Sequence, residues 1–155
     1  MKITRRTILL AGPGLIAITA TPLLAEADEQ IHVVKDPGCP CCNAWIGYLR
    51  DNGFNVSFEE RSVEDLAIYK RERGIPEALS SCHTATIGDY TVEGHVPAAD
   101  IRRLVAERPA AVGLTVPGMP MGSPGMGPES ARQAYDVLLV GLDGSSSVFT
   151  SYPAA

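Results

Sequence analysis

The sequence predicts an α/β domain, a mixed sheet with flanking helices. Three observations carry that prediction. Short runs of alternating or β-branched residues (31–34, 54–58, 82–87 and 90–93) read as strands. Amphipathic runs of helical period (43–51, 62–73 and 98–108) fall between or after them. A cysteine-rich turn, Asp36-Pro37-Gly38-Cys39-Pro40-Cys41-Cys42, joins the first strand to the first helix.

Strand, cysteine turn, helix is the opening of the thioredoxin-like or glutaredoxin-like arrangement, in which a loop ending in proline faces the turn. Ile75-Pro76 is the candidate for that proline, and the strand carrying Cys82 and His83 would begin near the turn.

Size and composition fit one domain. The chain has 155 residues, 45% of them hydrophobic and 20% charged, which suffices for one core. The formal charge of -5 carries no basic footprint, so nucleic acid is excluded as a partner class. Residues 1–27 read as a cleaved signal peptide. Arg5-Arg6 precedes an apolar stretch through Leu24, and Ala25-Glu26-Ala27 offers a small-x-small cleavage site. The paired arginines suggest the twin-arginine route and a periplasmic destination; an uncleaved anchor is the alternative. Outside that segment no apolar run reaches 18 residues, so the mature form, a single domain at 28–155, is not expected to span a membrane.

Along the mature chain, Ile31-His32-Val33-Val34 forms the first strand, with His32 partly exposed on it. In the first helix Trp45 and Leu49 share a face with Ile46 beside them, and Gly53 supplies the stop. Phe54-Asn55-Val56-Ser57-Phe58 alternates as a half-buried strand. Ser62 caps the second helix, and Gly74 with Ile75-Pro76 ends it. Gly88-Asp89 turns a hairpin between 82–87 and 90–93. Pro97 opens a third helix with Ile101, Leu104 and Val105 on one face. Residues 110–130 read as a Gly/Pro/Met-rich loop that holds neither a regular helix nor a central strand. A strand at 135–142 and a returning strand at 147–150 close the chain.

The cysteines point to soft-metal chemistry. Three of four lie within residues 39–42, and the fourth, Cys82, precedes His83. Adjacent Cys41 and Cys42 have Cα atoms about 3.8 Å apart, below the ~4.4–6.8 Å disulfide window. A stapling framework would not crowd cysteines in this way, so the cluster reads as functional.

Several motifs in register resemble the CopG-like family of exported copper-resistance proteins, once labelled only as a domain of unknown function. They are Pro37-Gly38-Cys39-Pro40-Cys41-Cys42, Trp45, Ser81-Cys82-His83-Thr84-Ala85, Val92-Glu93-Gly94-His95-Val96-Pro97, Val116-Pro117-Gly118-Met119-Pro120 and Gly122-Ser123-Pro124-Gly125-Met126. The resemblance runs from about residue 31 to 126 and implies a thioredoxin-like fold with copper held by Cys39, Cys41, Cys42 and Cys82.

Thiolate and thioether ligands select Cu(I). Cys39, Cys41 and Cys42 reach a single ion only with strain, whereas each bridges two ions readily, so a small multinuclear cluster is expected. Amides at the helix start should favour thiolate. His83 either ligates or hydrogen-bonds a neighbouring sulfur or backbone group; alternation along a strand would turn it away from Cys82. His95 is assigned structural hydrogen bonding, with support of a ligand as the sharper alternative. Met119, Met121 and Met126 either pass copper to the cluster or pack over the surface around Trp45. Copper ions, and other exported copper-handling proteins, are the expected partners, with redox interconversion of the copper as a further step. The competing reading is a thiol-disulfide oxidoreductase using Cys39 and Cys42, which leaves Cys41 and Cys82 without a role. A four-thiolate zinc site fits the crowded spacing less well.

Overall fold

The computed structural model describes residues 30–155; the signal-peptide expectation for residues 1–27 lies outside them. The chain runs β1 (Gln30–Lys35), α1 (Pro40–Asp51), β2 (Asn55–Glu60), α2 (Val63–Glu72), β3 (His83–Ile87), β4 (Tyr90–Glu93), α3 (Ala98–Glu107), β5 (Ala111–Thr115), β6 (Tyr135–Gly141) and β7 (Ser146–Tyr152). These strands form one seven-stranded sheet in the order β2-β1-β3-β4-β5-β6-β7. The pairs β1–β2 and β4–β5 are parallel and the others antiparallel, so the sheet is mixed.

Side-chain alternation along β1 divides the core into two layers. Ile31 and Val33 pack with Trp45, Ile46 and Leu49 of α1 and with Ile101 and Leu104 of α3. Val34 points to the other face and packs with Leu66 and Tyr69 of α2. The expected helix faces are therefore those that pack. Ser62 caps α2 by accepting a hydrogen bond from the Asp65 amide at 3.1 Å. Gly88-Asp89 is the turn between β3 and β4. Pro97 sits at the N-cap of α3, one place before the first helical residue.

One expectation is corrected. Residues 111–115 lie within the stretch read as loop, yet they form β5, which pairs with β4 on one side and β6 on the other. Pro109 and Gly113 punctuate the segment, but neither blocks this ladder. Gly113 is required there: at φ 153° a Cβ would lie 1.8 Å from the Thr91 carbonyl oxygen. Residues 116–128 do remain irregular, followed by a short 3-10 turn at Glu129–Ala131.

The C-terminal strands extend the sheet past β5 and grip α3. Asp100 of α3 accepts hydrogen bonds from Thr150 Oγ1 (2.5 Å) and Tyr152 Oη (2.7 Å). The Arg103 guanidinium lies 3.6 Å from the centroid of the Phe149 ring. Tyr135 stacks on Tyr152 across the β6–β7 ladder.

Gly113→Ala should destabilise the fold by about 3 kcal/mol, because a Cβ at that place displaces the backbone of the central strand β4. Chemical denaturation monitored by circular dichroism measures it; an unchanged midpoint would contradict the close β4–β5 approach.

Candidate metal centre

The cysteine turn is shaped by ordinary capping chemistry. The Asp36 carboxylate accepts from the Gly38 amide at 2.7 Å, and the Asp36 carbonyl accepts from the Cys39 amide at 3.3 Å. Cys39 is the N-cap of α1, and its sulfur takes the Cys42 amide at 3.2 Å. Pro40 follows at the first helical position, where no amide is needed. Packing of Trp45 and Leu49, both fully buried, seats α1 on the sheet so that its N-terminal end meets the start of β3.

All four cysteine sulfurs lie within 4.8 Å of one another. Cys41 Sγ is 3.4 Å from Cys39 Sγ and 3.8 Å from Cys82 Sγ. Cys42 Sγ approaches the Cys82 carbonyl at 3.8 Å. Cys39 and Cys42 are joined as a disulfide, leaving Cys41 and Cys82 as free thiols. Cys39 and Cys42 are buried while Cys41 and Cys82 are partly exposed, so the cluster opens to solvent through the free pair. A thiolate rather than a disulfide sulfur is the metal ligand. Two electrons and two protons delivered to Cys39–Cys42 therefore convert a two-thiol site into a four-thiol site.

It is Cys82, the residue directly ahead of β3, that meets the turn. Its thiol is pushed up to about 12, first by burial and then by the neighbouring Cys41. The expected lowering by helix amides does not reach it, because Cys82 precedes a strand and is surrounded by Ser81, Cys41, His83 and His95.

Both histidines reach Cys82. His83 Nδ1 lies 3.2 Å and His95 Nε2 3.1 Å from its sulfur, and the three residues form a second donor group with all ligand atoms within 4.8 Å. Alternation does not separate Cys82 from His83, because β3 begins at His83 and Cys82 stands outside the pleat. His95 Nδ1 can only donate to the Pro124 carbonyl at 2.8 Å, which leaves Nε2 with its lone pair aimed at Cys82. The structural role assigned to His95 therefore holds, and it is joined by direct contact with the sulfur. Such a carbonyl partner is how proteins orient imidazoles toward metals. The His95 Nε2 lone pair can accept the Cys82 S–H, while His83 Nδ1 contacts the same sulfur. His83 Nε2 is buried without a hydrogen-bond partner among the described residues.

Burial holds both imidazoles below the usual histidine range, His83 well below it, with His95 and Lys70 nearby adding to the effect at His83. Both are thus neutral near pH 7, the form that ligates. Trp45 supports them: its ring lies 4.4 Å from that of His83, and His83 meets His95 edge-on at 5.1 Å. The Trp45 indole N–H donates to the Val96 carbonyl at 2.9 Å, fixing the shelf.

The Met-bearing segment folds over the start of α1. A Cβ on Gly125 would sit 2.7 Å from the Trp45 amide and 3.0 Å from the Cys41 carbonyl, so glycine permits this close approach. Gly122 and Met126 are joined backbone to backbone, and the Gly118 amide donates to the Ser80 carbonyl. Met119 and Met121 are 55% and 43% exposed, and Met126 is half-buried. His32, expected to be a partly exposed strand residue, hydrogen-bonds Ser57 away from the site. Glu93, given no role in the sequence, is fully buried and accepts from the Ser81 amide beside Cys82. A carboxylate ending the short strand-forming run Tyr90-Thr91-Val92 was the signal for it.

The fold and site define a mixed α/β protein with cysteine sulfurs and imidazoles gathered where α1 begins and β3 enters the sheet. A family described as "Protein of unknown function, DUF411" matches residues 79–126. No curated protein sequence matches the chain. Two solved structures, titled copper resistance protein CopG forms 1 and 2, are each 44% identical to it. Form 1 aligns over 81% of this chain and 98% of its own with a TM-score of 0.76; form 2 aligns over 80% and 98% with a TM-score of 0.73. The chain belongs to the CopG-like copper-resistance family.

A thiol count checks the cluster's redox form: the oxidised protein should show two reactive thiols under denaturing conditions and four after reduction. In the native protein Cys82 should be alkylated more slowly than a free cysteine at neutral pH. Its rate should rise about tenfold per pH unit through the alkaline range, as the thiolate fraction grows below a pKa of about 12. A Cys82 that reacts at the ordinary thiol rate at pH 7 would contradict this burial.

Proposed function

We propose that the protein is an exported copper-binding protein of copper resistance, taking up Cu(I) at Cys39, Cys41, Cys42 and Cys82. The observation that carries this reading is the four sulfurs within 4.8 Å, with two neutral imidazoles on the same Cys82. The donor set fits a soft ion: thiolates select Cu(I), and imidazole accepts it as well. Copper is the cargo, and the resident machinery is the donor set itself.

The crowding favours a small multinuclear cluster. Cys41 lies close to both Cys39 and Cys82 in different directions, which suits a bridging sulfur. His83 and His95 supply nitrogen donors on the Cys82 side. Met119 and Met121 offer exposed thioethers on a loop tied down by backbone hydrogen bonds, suited to handing Cu(I) inward or to another exported copper-handling protein. The Cys39–Cys42 disulfide gives redox interconversion a balanced form: two Cu(I) ions each lose one electron, and with two protons the disulfide becomes two thiols. The strand order β2-β1-β3-β4, with α1 and α3 on one face and α2 on the other, is compatible with a thioredoxin-like domain, although the free Cys41 and Cys82 exceed what thiol exchange needs. Among the described residues no helix is long and apolar enough to cross a membrane.

Anaerobic titration of the reduced protein with Cu(I), read by mass spectrometry, should give more than one ion per chain. Cys41→Ser should lower both stoichiometry and affinity. A single ion that persists unchanged in Cys41→Ser would refute the cluster. Insulin-reduction activity surviving Cys82→Ser, without tight copper uptake, would point instead to thiol exchange by Cys39 and Cys42. Because Cys82 is protonated at neutral pH in the metal-free protein, copper uptake should release protons and weaken as pH falls.

A further inference from the structure

We propose that Glu93, braced by Lys70, is a positioning residue for the donor cluster: its buried carboxylate fixes Ser81 and so sets where Cys82 stands. The inference rests on the copper-binding reading for its consequence, but its geometry is independent of any metal.

Glu93 ends β4 and is fully buried, with Lys70 of α2 almost so. Glu93 Oε1 accepts from Lys70 Nζ at 2.5 Å and from the Ser81 amide at 2.6 Å. Glu93 Oε2 accepts from Thr84 Oγ1 at 2.6 Å, and Lys70 Nζ also donates to Thr84 Oγ1 at 3.0 Å. One carboxylate thus ties together α2, β3 and the irregular segment leading into β3. Removing two charges from water is expensive, and a well-packed apolar pair often stabilises a fold as well or better. Stability alone therefore gives little reason for an ion pair here; a backbone donor that must be held gives one.

What is held is the approach to the metal centre. Ser81 is bonded directly to Cys82, which lies outside the pairing of β3. The backbone around Glu93 serves the same place. Its carbonyl accepts from the Val116 amide at 3.0 Å, where the Met-bearing segment begins, and the next amide, Gly94, donates to the His83 carbonyl at 3.0 Å. Ser81 Oγ in turn donates to the Gly118 carbonyl. Glu93 therefore stands where the segments carrying Cys82, His83, His95 and the methionines converge. Donor atoms must be held to within about half an ångström for a preorganised site, and hydrogen-bonded supports of ligands are typically worth about 10–100-fold in metal affinity.

Two double variants separate positioning from stability. Lys70→Met/Glu93→Gln removes both charges but keeps an oxygen facing the Ser81 amide. Lys70→Met/Glu93→Leu removes the charges and the acceptor together. Each is measured in the full chain by Cu(I) competition and, metal-free with the Cys39–Cys42 disulfide intact, by the alkylation rate of Cys82 in a Cys41→Ser background. The Gln variant should stay within a few-fold of its parent in both. The Leu variant, folded by circular dichroism, should bind Cu(I) about 10–100-fold more weakly and alkylate Cys82 about tenfold faster. Should the Leu variant not fold, Glu93→Asp, which keeps the charge but draws the carboxylate back from Ser81, should show the same release of Cys82. Equal alkylation and equal affinity in the Gln and Leu variants, or an unchanged Cys82 rate in Glu93→Asp, would overturn the proposal. If the parent protein takes up no Cu(I), the copper reading fails while the alkylation arm still decides whether Glu93 positions Cys82.

Discussion

The packing of helix α1 against the sheet through Trp45 is the contact on which the rest of the site depends. The indole is fully buried, touches the rings and strands of the main core, and donates its N–H to the backbone at Val96. That seating brings the N-terminal turn of α1 against the first residue ahead of β3. Losing a buried tryptophan costs about 3–5 kcal/mol in ordinary cores. Here it would also remove the shelf under His83 and the backbone surface on which Gly125 rests.

Around this contact the site is built in two shells of different chemistry. Inside are sulfurs and imidazoles that meet one another: Cys82, held protonated by burial, contacts Cys41, His83 and His95, while His83 Nε2 has no hydrogen-bond partner among the described residues. Outside are groups whose bonds are fully made, such as Glu93 with Lys70, Thr84 and Ser81, and Pro124 with His95. A buried donor set left with unused bonding capacity is unfavourable on its own. A rigid and satisfied surround is what keeps it from rearranging to satisfy itself.

The cysteine turn carries two messages. The Cys39–Cys42 pair has the spacing of a redox couple and is closed as a disulfide. Cys41, between them in sequence, and Cys82, from across the sheet, are free and near each other. The same four sulfurs therefore exist as two thiols or as four, and the number available to a metal follows the redox state of one bond.

Much of the architecture was legible in the sequence, because local periodicity and capping are local physics. The α1 face, the Ser62 cap, the Gly88-Asp89 turn and the C-terminal hairpin all follow from residues within a few positions of one another. β5 was not legible, because a five-residue strand with a glycine in it is specified by the neighbours it pairs with rather than by its own pattern. At the site, the sequence by itself determined the donor types: three cysteines at one helix start and a fourth beside a histidine. Only the tertiary structure decided which donors meet. It placed Cys82 outside the pleat so that His83 turns toward it, and it brought His95 to the same sulfur from thirteen residues away. It also put Glu93 beneath the Ser81 amide. Those meetings depend on how α1, β3 and β4 pack together, and no spacing along the chain encodes that distance.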